Sequence, residues 1–128
     1  MKIDIPASIG ELIDKITILE IKKSKINDVN KSKDINKELI LLNEVVLIKK
    51  VNKIKILHLK KDLKKINLML WNVEDKLRKM EGKKQFDKIF IKNARNVYLL
   101  NDKRSAVKSK INTLTKSSIK EVKSYESY

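Results

Sequence analysis

A chain of 128 residues, 41% hydrophobic and 37% charged, suits a single domain with a core of its own; it is neither a disordered segment nor a membrane span. No apolar run approaches the roughly 18 residues a transmembrane helix needs. The formal charge of +15 points toward nucleic acid or anionic lipid, yet 28 of the 31 basic residues are Lys, and Lys, Ile and Asn make up 57 of the 128 residues. That is the signature of A/T-rich codons, which produces a basic chain without selection for a basic surface.

The N-terminal 2–5 alternates apolar and polar residues and reads as an extended lead-in. Asp4 and Pro6 interrupt any stretch that would serve as a signal peptide, so the expected compartment is the cytoplasm. Ser8 and Glu11 stand in capping-box register: the Ser8 hydroxyl accepts from the Glu11 amide while the Glu11 carboxylate reaches back. A first helix is expected over 8–27, with Leu12, Ile16, Leu19 and Ile26 along one stripe. After a turn at 27–30, Ser32 or Asp34 caps a second helix over 32–50. Its face of Ile35, Leu39, Leu42 and Val46, widened by Ile40, Leu41, Val45 and Ile48, is broad enough to be mostly buried.

The third helix, 53–82, has the clearest period. Ile56, Leu59, Leu63, Ile66, Leu70, Val73, Leu77 and Met80 alternate spacings of three and four, the heptad seam of long helices packed side by side. Gly82 supplies the stop, where a left-handed residue costs least. A fourth helix, 86–114, carries Phe90, Val97, Leu100, Val107, Ile111 and Leu114, interrupted by Asn93 and Arg104. The polar tail 115–128 frays or folds back through Tyr125. With one Pro and two Gly there is little material for a turn-rich β fold. The expected fold is therefore all-α: an antiparallel helical bundle with a long coiled-coil-like helical hairpin turning at 82–85.

Few residues suggest chemistry. His58 is the only histidine and sits among lysines, with no partner to orient it as a base. No Glu-x-x-His or His-Glu-x-x-His spacing marks a metal site, the absence of cysteine removes thiolate ligands and disulfides, and Gly10 alone makes no phosphate loop, so neither metal nor cofactor is expected. What stands out is mixed charge on core-forming helices. Glu11, Asp14 and Lys15 share the first turns of the first helix, and Glu20 follows. Trp71, Asp75 and Arg78 lie on one face of the third. On the fourth, Arg95, Tyr98 and Asp102 share a face, beside Asn101, Arg104 and Lys108. All three Arg fall in these groups, and Arg grips carboxylates or phosphates bidentately as Lys cannot. The candidates form a structural ion-pair network or line an anionic-ligand pocket between helices. Arg104, on the apolar seam, must meet an acid, with Glu11, Asp14, Glu20, Glu74 and Asp75 the candidates. The lysine-rich stretch 49–65 is read as a solvated face or a weak nucleic-acid stripe.

These same blocks resemble a family of small bacterial proteins known only as a domain of unknown function. The resemblance rests on 6–22 (PASIGELIDKITILEIK), 70–78 (LWNVEDKLR), 94–104 (ARNVYLLNDKR) with Lys108, and 121–125 (EVKSY). It covers nearly the whole chain; Lys79 stands where the family has acidic residues. The resemblance implies a setting beside glycosyltransferases of surface polysaccharides. A fainter similarity, carried by no block, is to the helical chorismate mutases, which line a pocket with Arg, Lys and acids from long helices. The expected function is a non-enzymatic helical interaction or accessory module with a protein partner or a second copy. The alternatives are a small enzyme or anionic-ligand-binding protein using the polar groups, and a weak, non-specific nucleic-acid binder.

Overall fold

The computed structural model describes residues 1–127 and contains four helices, with no strand among the described residues: α1 (Ile9–Lys25), α2 (Val29–Ile48), α3 (Lys53–Gly82) and α4 (Lys88–Leu114). Each start has a local cause. Ser8 caps α1 by accepting from the Glu11 amide at 3.0 Å, Asp28 caps α2 through the Lys31 amide at 2.9 Å, and Asn52 caps α3 through the Lys55 amide at 3.0 Å. Asp87 caps α4 through the amides of Ile89 and Phe90, and these bonds, Phe90's first, hold its carboxyl below the usual range. The second helix thus begins earlier than Ser32 or Asp34 would have it. Ser32 instead turns its hydroxyl back to the Ile26 carbonyl.

The helix ends overturn the role expected of Gly82. Its backbone stays helical, and the left-handed residue is Lys84, with φ of 56°. The Gln85 amide donates to the Met80 carbonyl and the Lys84 amide to that of Glu81, a Schellman closure. The same pattern ends α2 at Lys50 (φ 53°) and α4 at Lys116 (φ 54°). All three left-handed positions carry Lys where Gly fits best. Lys84→Gly and Lys116→Gly should therefore each raise unfolding stability by about 0.5–1 kcal/mol, measured by urea denaturation.

α3 and α4, roughly 45 and 40 Å long, form an antiparallel hairpin, and α1 packs against α2, α3 and α4 in turn. The eight seam residues of α3 are all buried or half-buried, because alternating three- and four-residue steps keep them on the stripe that faces α1 and α4. The core is Ile13 and Ile16 of α1, Val46 of α2, Ile56 and Leu63 of α3, and Val107 and Ile111 of α4.

α2 departs from expectation. Ile35 and Val46 are buried and Leu39 and Leu42 half-buried, but Ile40, Leu41, Val45 and Ile48 face solvent. The cause is packing: α2 approaches α1 closely and makes no close backbone approach to α3 or α4, so only one of its apolar faces is covered. The tail folds back along α4: Ser117 is buried, Glu121 reaches Lys108, and Tyr125, itself exposed, lies across a depression from Tyr98 and Asn101.

Candidate functional site

α1 and α4 run antiparallel at close quarters, and their polar residues meet rung by rung. Asp14, fully buried, takes the Arg104 guanidinium across both carboxylate oxygens: Nε donates to Oδ1 at 2.9 Å and Nη2 to Oδ2. The Asn67 amide of α3 donates to the same Oδ1 at 2.9 Å and to the Thr17 hydroxyl at 2.9 Å, and Thr17 in turn donates to the Asp14 carbonyl. Arg104 Nη1 also donates to Asn101 Oδ1 at 3.3 Å. A carboxylate this deep is tolerable only because its lone pairs are engaged by a cation and an amide. The hydrogen bonds that Arg104 donates to Asp14 chiefly push its pKa up, against its burial.

One turn away, the Lys108 ammonium lies between Glu11 Oε2 at 2.6 Å and Glu121 Oε1 at 2.9 Å. Burial disfavours its charge, but the bonds to Glu11 and Glu121 win, and its pKa is raised. The Glu11 carboxylate is thus turned to Lys108, and the reciprocal half of the capping box is replaced by an interhelical pair. The first amides of α1 are also satisfied from α4 and the tail. Ile9 donates to Ser117 Oγ at 3.1 Å and Gly10 to Asn112 Oδ1 at 2.6 Å. The positive end of α1 is thus occupied by the chain's own oxygens, where an anion would otherwise sit. Gly10 makes this approach feasible, since a Cβ there would lie 2.6 Å from the Lys108 carbonyl oxygen.

The structure gathers Glu11, Asp14, Asn101, Arg104 and Lys108, and sends the other candidates elsewhere. Lys15 lies about 100° around the helix from Asp14 and pairs outward with Glu38 of α2 at 3.2 Å. Glu20 faces α3 and meets Lys60 and Lys64 at 3.5 and 3.6 Å. Asp75 and Arg78 face solvent and Trp71 is half-buried; α3 enters the centre one turn earlier, through Asn67. Arg95 bonds Tyr98 at 3.4 Å on the exposed side of α4, while Asp102 is half-buried. His58 is exposed and has Asp62 at 3.6 Å, a partner one turn on.

Asn67, Thr17, Asn112, Ser117 and Glu121 escape a search for charged clusters. Asn67 had a signal: it interrupts the buried stripe between Leu63 and Leu70. Glu121 belongs to the closing block of the resemblance. Asn112 and Ser117 had none, because a helix-start amide has no side chain to flag its acceptor.

Chemically the centre is a clamp. A catalytic lysine needs a lowered pKa, and that of Lys108 moves the other way. Among the described residues no three His, Asp or Glu converge as metal ligands would. Two open surface depressions flank α4: one of about 350 Å³ along Lys88, Ile91, Arg95 and Leu99, the other of about 430 Å³ between Tyr98, Asn101 and Asp102 and the tail at Lys123, Tyr125 and Glu126. Asn101 joins the second to the Arg104 clamp.

The Glu121 contact has a pH signature. Burial opposes its charge, but the bond to Lys108 prevails, and its folded pKa lies below the ordinary 4.5. A depressed carboxylate contributes stability above its unfolded pKa and loses it as pH falls through the folded value. Glu121→Gln should therefore melt below wild type at neutral pH, and the two should converge below pH 4.5. Lys108 has the opposite sign: its contribution holds below its ordinary 10.5 and is lost as pH rises through the folded value. Melting curves of both proteins across pH test this.

A family model described as a family of unknown function (DUF6165) matches residues 1–128. No curated protein and no solved structure is significantly similar to the chain.

Proposed function

The chain belongs, over its whole length, to this family of unknown function, and on that premise we propose that it is a non-enzymatic helical interaction module. The observation that carries the reading is the two-sided apolarity of α2. Ile35 and Val46 on one side are buried in the bundle, while Ile40, Val45 and Ile48 on the other remain in water. A helix apolar on both sides is ordinarily enclosed on both. The polar centre supports the same reading from inside. Its cations and carboxylates meet each other at 2.5–2.9 Å and pin α4 and the tail to α1, so the centre holds a rigid scaffold whose working surfaces lie outside.

The competing pocket reading draws on the depression beside Asn101. A thermal-shift series with inorganic phosphate, sulfate and small dicarboxylates separates the two. The module should respond to each only as it does to sodium chloride of equal ionic strength. A rise of several degrees with one anion, abolished by Asn101→Ala, would replace this reading with that of an anion-binding protein.

A further inference from the structure

The exposed apolar side of α2 runs into the corner where α2 passes to α3, and there it becomes strongly basic. Leu47 and Ile48 at the end of α2 are 63% and 73% exposed, and Ile54 and Leu57 at the start of α3 are 88% and 50% exposed. Between Glu44 and Asp62 the chain has six lysines and no acid. Lys60 is drawn inward to Glu20, but Lys49, Lys50, Lys53, Lys55 and Lys61 are exposed and alternate along the chain with these aliphatic residues. The corner is held firmly in this shape: the Val51 amide donates to the Val46 carbonyl, the Lys50 amide to that of Leu47, and Asn52 caps α3.

Aliphatic tips ringed by cations match one kind of surface. We propose that the α2–α3 corner docks on an anionic lipid surface, with Leu47, Ile48 and Ile54 entering the boundary between headgroups and acyl chains and the surrounding lysines meeting lipid phosphates. This rests on the reading of the chain as an interaction module and names its partner. An interfacial element needs an apolar face set roughly 5–10 Å into the headgroup boundary together with cations at the rim, and the corner has both. A second copy fits less well, because joining two such corners brings lysines face to face within a Debye length of about 8–10 Å, on a chain already at +15. Nucleic acid would engage the lysines but leave the aliphatic tips in water, since bases stack on aromatic side chains and the exposed tips here are Leu and Ile.

The test is co-sedimentation of the full chain with vesicles of phosphatidylcholine alone and of phosphatidylcholine with one third phosphatidylglycerol. Binding to the anionic vesicles should be at least tenfold tighter. Ile48→Gln/Ile54→Gln changes only exposed side chains, so it should melt like the wild type and lose at least tenfold in vesicle binding. Each lysine near an anionic membrane contributes about fivefold, so Lys49→Gln/Lys53→Gln/Lys55→Gln should lose about a hundredfold.

Equal binding to both kinds of vesicle, or none, would overturn the proposal. So would full retention of vesicle binding by the isoleucine variant, or binding to polyglutamate or single-stranded DNA as tight as to the anionic vesicles, which would make the corner a general polyanion site. Sedimentation equilibrium without lipid that shows a dimer abolished by Ile48→Gln/Ile54→Gln would reassign the face to a second copy. In each of these cases the interaction-module reading stands or falls separately, on the response to small anions.

Discussion

Arg104→Ala should lower unfolding stability by about 3 kcal/mol, among the largest effects expected of any single truncation in this chain. The loss comes from what the truncation leaves behind. Asp14 is fully buried, and without the guanidinium its carboxylate keeps only the Asn67 amide as a side-chain donor. Stranding one member of a buried pair costs roughly 3–5 kcal/mol. The Arg104 side chain is 28% exposed, which lets water reach the gap and sets the estimate at the lower end. For a domain of this size the melting temperature should fall by about 10 °C. Arg104→Lys should recover only part of the loss, because a single ammonium cannot span both carboxylate oxygens. A double-mutant cycle with Asp14→Asn should show coupling of about 1–3 kcal/mol. Wild-type melting of both Arg104 variants would mean that the clamp contributes nothing to the fold.

The two glycines should respond in opposite senses to the same substitution. Gly10→Ala should destabilise by about 1–3 kcal/mol, the range for overpacking a close contact. The new methyl would lie 2.6 Å from the Lys108 carbonyl oxygen and 2.8 Å from Asn112 Oδ1, and the first of these is backbone that cannot rotate away. Relief requires α1 and α4 to separate, which weakens the Gly10–Asn112 hydrogen bond and the Glu11–Lys108 pair along with it. Gly82→Ala meets nothing within 4 Å in a helical backbone and should stabilise by about 0.5–1 kcal/mol. Urea denaturation of the two variants side by side decides the point; equal effects would show that α1 and α4 do not depend on the close approach.

The amino-acid sequence determined the helices and the hairpin because these follow from short-range periods. A stripe such as Ile56, Leu59, Leu63 and Ile66 has one compact solution, a helix with that stripe against a neighbour, and Ser8 marks a helix start through a bond that spans only three residues. A requirement for an acid opposite Arg104 was legible too, since a guanidinium on an apolar seam must be compensated.

Which acid answers it was a tertiary matter. Asp14 is 90 residues away, and its selection over Glu11, Glu20, Glu74 and Asp75 depends on the antiparallel register of α1 and α4, whose close approach Gly10 permits. The placement of α2 and α3 around α1 gave Lys15 and Glu20 other neighbours and brought in Asn67, and the returning tail brought in Glu121. The exposure of α2 was beyond the sequence for a related reason. A period shows that a helix has apolar faces, but how many helices arrive to cover them depends on the packing of the whole bundle, and here only α1 lies close along it.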